Sequence, residues 1–226
     1  MEEKHGRRRK NEERTQKAVE GLIARIDENP YDPQAYYALG CLLTELQSFE
    51  QAEELFKRAL NVFEGQEDKQ ALLHYGLGNV LYSAGLFKEA AAEFEVLKGS
   101  PYEADAVLMM AQTELSGGSS EKALAYALTA FEKGSGQTRL DACALLGDAF
   151  LSLGSFRQAG DYYDLYLKEK PDDKRVLFMR GVAETGAGNA PDAWFERVKK
   201  IDGKYFARMT ERLDDISRVL NDGKKE

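Results

Sequence analysis

Residues 33–59 read PQAYYALGCLLTELQSFEQAEELFKRA and contain two apolar helical patterns separated by a short turn. Gly40 lies in the first pattern, and Ala52 lies twelve positions later in the second. Around each of these small residues the apolar side chains return every three or four positions, which is the signature of an amphipathic helix. The stretch therefore predicts two antiparallel helices that approach closely where the small residues meet.

The same spacing of small residues occurs four more times along the chain. The further pairs are Gly78 with Ala90, Ala111 with Ala123, Gly147 with Ala159, and Gly181 with Ala193. The five units begin near residues 33, 71, 104, 140 and 174. A single hairpin cannot bury both of its faces, so each unit needs stacked neighbours. The repeat therefore predicts an all-α solenoid rather than an ordinary helical bundle.

A turn signal separates the two members of every pair, and glycine supplies it in four of the five units. The turns contain Gln47, Gly85, Gly118, Gly154 and Gly188. Glycine ends a helix readily because it adopts the left-handed backbone conformation at little cost. We expect apolar side chains to fill the space beside each crossing. They are Leu39, Phe56, Leu77, Phe94, Leu146 and Tyr163.

The first unit carries a family resemblance in its opening residues, Pro30-Tyr31-Asp32-Pro33-Gln34-Ala35-Tyr36, and in Ala52, Phe56 and Ala59 on its second helix. With these residues the chain resembles the tetratricopeptide repeat family over about residues 14–203. The resemblance implies a right-handed superhelix of antiparallel helix pairs. Three departures stand out in unit five, where apolar residues are usual: Arg180, Arg197 and Lys200.

The segments outside the five units are predicted to close the ends of one solenoid over residues 14–221. Residues 14–28 form an N-terminal capping helix and residues 204–221 a C-terminal one, because open solenoid ends need covering. The C-terminal helix carries an apolar stripe of Phe206, Met209, Leu213, Ile216 and Leu220, whose alternative role is a dimer seam. Residues 1–13 are expected to be a flexible basic terminus and residues 222–226 a disordered tail. Twelve helices, no strand and a monomer are expected.

The charge distribution argues against nucleic acid as the main partner. The formal net charge is −8, and residues 18–195 carry 15 basic and 28 acidic side chains. Such an acidic body repels phosphate backbones. The one strongly basic run, Arg7-Arg8-Arg9-Lys10, is interpreted as a solvated terminus, with contact to nucleic acid or an acidic surface as the alternative.

Two further compositional features bear on the compartment. No run of about 18 apolar residues occurs, so no membrane insertion is expected. Cys41 and Cys143 are isolated thiols without paired spacing, which favours a reducing, cytoplasmic location.

The sequence lacks the residue patterns of an enzyme. His5 lies in the terminal segment, and His74 lies among core-facing residues, where a packing role is expected rather than that of a general base. No Cys/His set has metal-ligand spacing, and Gly76-Leu77-Gly78 falls inside a helix, so it is no dinucleotide-binding turn. We predict no catalysis, cofactor, metal or small-molecule substrate.

The family resemblance implies that the first helix of every unit lines a concave groove that holds a peptide. The predicted groove residues are Tyr37, Cys41, Tyr75, Asn79, Tyr82, Leu108, Met109, Gln112, Leu145, Asp148, Phe178 and Met179. Asn79 and Gln112 could hydrogen-bond a peptide backbone, since an amide both donates and accepts. The alternative is that many of these side chains are buried between neighbouring units.

The predicted function is a non-catalytic protein–protein interaction module, or adaptor, that binds a peptide segment of a partner in this groove. Asp105, Asp141 and Asp148 on or near it favour a ligand with an apolar or aromatic anchor and basic residues nearby. Two alternatives are a structural scaffold that self-assembles through its end helices and an RNA-associated adaptor that uses the basic termini.

Overall fold

The computed structural model describes the backbone of residues 2–222 and the side chains of residues 13–213. The described residues form eleven α-helices and no strand, which confirms the all-α class. The helices are α1 (Glu2–Glu28), α2 (Pro33–Glu45), α3 (Phe49–Val62), α4 (Glu67–Ser83), α5 (Phe87–Glu95), α6 (Glu103–Ser116), α7 (Ser120–Lys133), α8 (Gly136–Ser152), α9 (Phe156–Glu169), α10 (Lys174–Gly186) and α11 (Asp192–Asp222). Asp202 interrupts α11 with φ −155° and ψ 88°, close to where the sequence separates two helices.

The chain divides into two compact parts, each of which contains several of the helix-pair repeats. We call them unit 1, over Met1–Gly117, and unit 2, over Gly118–Glu226. Within each unit every helix packs against the next one along the chain. In unit 1 the first helices of successive repeats, α2, α4 and α6, are also neighbours, as are α8 and α10 in unit 2. Each unit is therefore a segment of the predicted α-solenoid. That residues 14–221 form one continuous array stays a prediction.

The turns within the helix pairs end the first helix as the sequence predicts. Gly85, Gly154 and Gly188 lie just after a first helix and have φ of 80°, 71° and 80°. The residue that follows donates its N–H to a carbonyl five positions back, as in Leu86 N to Leu81 O at 2.9 Å. This is the Schellman arrangement, which satisfies carbonyls that the helix end leaves unpaired.

Gln47 occupies the corresponding position in the first helix-pair repeat, between α2 and α3. It has φ of 59° and is the one non-glycine with positive φ in the part of the chain that the structure describes. A side chain in this region crowds its own backbone. We therefore expect Gln47→Gly to raise the free energy of unfolding by about 0.5–1 kcal/mol, because the relief of strain exceeds the entropy that glycine loses. Urea unfolding measures the change, and an unchanged or lower midpoint would contradict it.

The small residues mark the helix crossings, as predicted. Ala52, Ala90, Ala123 and Ala159 are completely buried. The predicted core side chains are buried as well: Leu39, Phe56, Leu77, Phe94, Leu146 and Tyr163. A Cβ added at Gly40, Gly78 or Gly147 would overlap the ring of Phe56, Phe94 or Tyr163, respectively. Glycine is thus required at these crossings so that an aromatic ring can lie against the backbone.

The fifth helix-pair repeat, formed by α10 and the first part of α11, departs from this pattern of crossings. Ala193, expected at the crossing, is exposed, and the ring that packs on Gly181 belongs to Phe195. Arg180 is accommodated at an apolar position because Asp164 accepts from its Nε at 2.9 Å and Glu184 lies 2.7 Å from its Nη1. Its guanidinium also lies 4.9 Å from the ring centroid of Trp194. The helix pair packs despite the unusual residues.

The two ends differ from each other. Helix α1 begins at Glu2, well before the predicted start at residue 14, and Val19, Leu22 and Ile26 on it are half-buried. The side chains of residues 1–12, including the basic run, lie outside the described residues. At the other end Phe206, Met209 and Leu213 pack against the core of unit 2. The side chains of Ile216 and Leu220 lie outside the described part, as do residues 223–226 of the predicted tail.

Candidate peptide-binding site

Unit 1 brings together part of the predicted groove on the face made by α2 and α4. Tyr37 and Cys41 lie on α2, Tyr75 and Asn79 lie on α4, and all four are half-buried. Tyr102, just before α6, joins them: its ring stacks on that of Tyr75 with 5.9 Å between centroids and an interplanar angle of 17°. We call these five residues the tyrosine patch.

The core beneath the tyrosine patch fixes the orientation of its rings. Tyr37 packs on Phe56 with ring centroids 6.4 Å apart, and Tyr75 packs on Phe94 at 6.2 Å. Both phenylalanines lie against the glycines of the helix crossings. The repeat that builds the fold therefore also positions the patch.

Tyr37, Cys41 and Tyr75 of the tyrosine patch are uncharged at physiological pH. Burial raises the pKa of Tyr37 and of Tyr75 above the usual value for a phenol. The nearby Cys41 thiol raises the pKa of Tyr37 further, and the Asp105 carboxylate raises that of Tyr75. Burial likewise raises the pKa of Cys41, which the Tyr37 hydroxyl only partly offsets. Since charged forms are disfavoured in this partly desolvated place, the patch presents hydroxyl donors rather than ions.

Asn79 supplies an unsatisfied hydrogen-bond acceptor in the tyrosine patch. Its Oδ1 is buried and has no hydrogen-bond partner. Its amide lowers the pKa of Tyr75, although burial has the larger and opposite effect. Because an N–H donor has this effect on a phenol, the NH₂ group is the part that faces Tyr75, and Oδ1 is left over. A buried acceptor without a donor costs about 1–3 kcal/mol. A ligand that supplies a hydrogen-bond donor to this atom would remove that cost.

The remaining predicted groove residues of unit 1 continue along α4 and α6. Tyr82 on α4 lies within hydrogen-bonding distance of Ser116, with 3.0 Å between Oη and Oγ, and so links the two helices. Leu108, Met109 and Gln112 on α6 are half-buried. All eight predicted residues of unit 1 are thus partly accessible on the first helices of the repeats.

Unit 2 corrects two of the predicted groove residues. Leu145 and Phe178 are only 4% and 1% exposed, so they are core residues and cannot line a groove. The ring of Phe178 lies 5.3 Å from that of Phe195 and 6.0 Å from that of Phe206. Met179 is half-buried and packs against the same core cluster. Neighbouring helices cover the helix face that the projection assigned to solvent.

Asp148 is committed to a network within unit 2. It accepts from the Tyr163 hydroxyl at 2.7 Å and from Arg175 Nη1 at 2.9 Å. Burial raises the pKa of the Tyr163 phenol, and the Asp148 carboxylate raises it further, so the hydroxyl remains a donor. The carboxylate is therefore compensated inside the protein, and the prediction that it attracts a basic ligand loses its basis.

His74, metal binding and membrane insertion are the remaining points that the sequence raised, and the described residues bear on each of them. His74 is half-buried, and its Nδ1 lies 2.6 Å from Glu93 Oε2. No group of three or more His, Cys, Asp or Glu side chains in residues 13–213 is placed to hold a metal ion. Among the described helices none is both long enough and apolar enough to cross a membrane.

The family model described as Tetratricopeptide repeat matches the chain four times, over residues 37–106, 75–138, 108–174 and 144–205. The chain belongs to the tetratricopeptide repeat family. The resemblance drawn from the first unit is thus confirmed, and so is the helical-repeat fold. Tetratricopeptide repeats indicate a protein–protein interaction module, and proteins of this family are generally non-catalytic.

Solved structures of other tetratricopeptide repeat proteins share the fold. YrrB, described as "a TPR protein with an unusual peptide-binding site", is 21% identical, with a TM-score of 0.61 over 86% of this chain and 100% of its own. BtubC from P. vanneervenii is 19% identical, with a TM-score of 0.70 over 84% and 88%. PilF of Pseudomonas aeruginosa is 15% identical, with a TM-score of 0.70 over 89% and 91%. No curated protein sequence matches the chain at a significant level.

Proposed function

We propose that this chain is a non-catalytic adaptor that binds a peptide segment of a partner protein at the tyrosine patch of unit 1. The unpartnered Asn79 Oδ1, on a side chain whose amide contacts Tyr75, carries the proposal. A peptide backbone offers one N–H donor at almost every residue, which is what this acceptor lacks. The peptide-binding site named for YrrB supports the proposal by analogy of fold.

The tyrosine patch supplies the other contacts that a peptide needs. The rings of Tyr37, Tyr75 and Tyr102 offer an apolar surface for an aromatic or aliphatic anchor, and their hydroxyls donate to peptide carbonyls. Because Oδ1 is buried in the structure, the proposal requires the Asn79 side chain to rotate so that Oδ1 can accept from the peptide. Gln112 and Met109 on α6 extend this surface with an adaptable amide and thioether.

We propose no charge preference for the peptide. Asp148 is paired with Arg175, Asp141 accepts from Gln137 Nε2 at 2.7 Å, and Asp105 also has an interaction partner. Arg175 therefore neutralises Asp148, and since Asp141 and Asp105 also have partners within the protein, we base no charge preference on these three carboxylates. The apolar anchor is the part of the predicted specificity that we retain.

We propose a monomer in a reducing, cytoplasmic compartment. Phe206, Met209 and Leu213 of the C-terminal helix pack on the core of their own chain, which leaves less apolar surface for a dimer seam. Cys41 and Cys143 are both free thiols. These contacts favour the adaptor over the self-assembling scaffold.

Asn79→Leu separates binding from folding. The probe is a peptide selected from a random library for binding to the full chain. We expect the variant to bind it about three- to tenfold more weakly, because one hydrogen bond is lost, and to unfold about 1 kcal/mol less readily, because a buried orphan acceptor is removed. Fluorescence anisotropy and urea unfolding give the two quantities. Binding should stay constant between pH 6 and 8, since the pKa values of Tyr37, Tyr75 and Cys41 are all raised and these groups stay uncharged in that range.

Asn61→Leu is the matched control. Asn61 is exposed on α3, outside the tyrosine patch, so its replacement should leave the affinity unchanged. Equal affinity of Asn79→Leu and wild type, for a peptide whose crosslinks map to unit 1, would refute the role of Asn79. Crosslinks that map to unit 2 alone would refute the site.

A further inference from the structure

Unit 2 contains a second concavity, away from the predicted groove residues. It is a cleft of about 460 Å³, within the size range of small-molecule sites. The end of α7, the start of α8 and the end of α9 form its walls. The apolar part consists of Phe131, Leu140, Cys143 and Leu165. Leu165 is 40% exposed, so this apolar part is accessible to a ligand.

Two cations flank the apolar part of the cleft. The guanidinium of Arg139 lies 4.0 Å from the ring centroid of Phe131, and Lys170 lies at the end of α9. Both side chains are exposed. A stacked guanidinium keeps the N–H donors at its edge available. The acidic Glu169 also lines the cleft, so the cations exceed the acids there by one.

The chemistry of the lining selects among possible ligands. None of the eight lining residues is an amide or hydroxyl residue. A polypeptide that entered the cleft would find side-chain partners only at Arg139, Glu169 and Lys170. Backbone groups placed along the apolar walls would stay unpartnered, which is costly. An alkyl chain has no such groups. Burial also raises the pKa of the Cys143 thiol, although Arg139 opposes this, so the floor is neutral.

We propose that this cleft binds a small single-chain carboxylate, with the alkyl chain on Phe131, Leu140, Cys143 and Leu165 and the carboxylate between Arg139 and Lys170. The apolar walls supply affinity in proportion to the area they remove from water. The two cations supply orientation and select an acid over an alcohol or an amine. The ligand binds as a free amphiphile, independently of the peptide site in unit 1.

Titration of the full chain with octanoate, octan-1-ol and octylamine tests the proposal. Isothermal titration calorimetry should show octanoate as the tightest of the three. Decanoate should bind about 15-fold more tightly than octanoate, because each added methylene contributes roughly fourfold, equivalent to about 0.8 kcal/mol. Backbone amide shifts in NMR spectra should be confined to residues 131–143 and 165–170. Equal affinity for octanol, or shifts elsewhere, would overturn the proposal.

Variants assign the parts of the cleft. Arg139→Gln and Lys170→Gln should each weaken octanoate two- to fivefold, the range of an exposed ion pair, whereas Glu169→Gln should strengthen it. Leu165→Ser should weaken octanoate and octanol alike. Arg157→Gln and Leu153→Ser, both exposed in unit 2 and outside the cleft, are the matched controls. Octanoate binding that is unaffected by Leu165→Ser would exclude the cleft as its site.

Discussion

Phe178→Ala is expected to lower the free energy of unfolding of unit 2 by about 3–5 kcal/mol, the usual cost of truncating a buried phenylalanine. Phe178 is 1% exposed, and its ring packs against those of Phe195, Tyr205 and Phe206. These contacts join α10 to both parts of α11. Loss of the ring therefore leaves a cavity where the last helices of the chain meet.

Trp194 reports on this unit, because it is the single tryptophan and packs against the same core cluster. Its emission during urea unfolding gives the stability of unit 2. Met179→Ala, at the next residue of α10, is the control and should cost less than about 2 kcal/mol, since Met179 is only half-buried. An unchanged urea midpoint of the Trp194 emission in Phe178→Ala would contradict the burial of Phe178. It would favour the exposed position that the sequence pattern predicts.

The fold could be predicted because one spacing of small residues recurs five times. Gly40, Gly78 and Gly147 each face a ring from the second helix of the pair, and the spacing between the small residues records that contact. In the fifth helix-pair repeat the ring that packs on Gly181 belongs to Phe195, and Ala193 is exposed. There the spacing persists although the contact has shifted. Spacing identifies a helix crossing only when the side chains that fill it are also matched.

The candidate site could be predicted only in part, because a projection on one helix ignores its neighbours. Tyr37, Tyr75 and Asn79 are half-buried on the first helices of their repeats, and their place in a peptide-binding groove stays a prediction. Leu145 and Phe178, by contrast, are covered by adjacent helices. Tyr102 was missed because it precedes α6 and has no place in a helical projection, although Ser100-Pro101-Tyr102 marks the start of that unit. The orphan acceptor of Asn79 depends on packing in three dimensions, which no sequence pattern records.

The ring of Phe56 is enclosed by backbone on two sides. A Cβ at Gly40 on α2 would overlap it, and so would a Cβ at Gly76 on α4. The ring is completely buried and carries Tyr37 of the tyrosine patch on its edge. A side chain introduced at Gly40 cannot push the ring toward α4 because Gly76 already lies against it. This crossing therefore tolerates enlargement least well among the repeats of unit 1.

Gly40→Ala is accordingly expected to lower the free energy of unfolding by about 1–3 kcal/mol through overpacking, although alanine is favoured over glycine in a helix by about 1 kcal/mol. Gly21→Ala is the matched control: Gly21 lies in α1 with no atom near its added Cβ, so this variant should gain about 0.5–1 kcal/mol. Urea unfolding followed by circular dichroism compares the two. The free-energy cost of Gly40→Ala should be smaller in a Phe56→Leu background than in the wild type, because the smaller side chain leaves room for the added Cβ. Stabilisation by Gly40→Ala would mean that the two helices do not cross at Gly40 against the Phe56 ring.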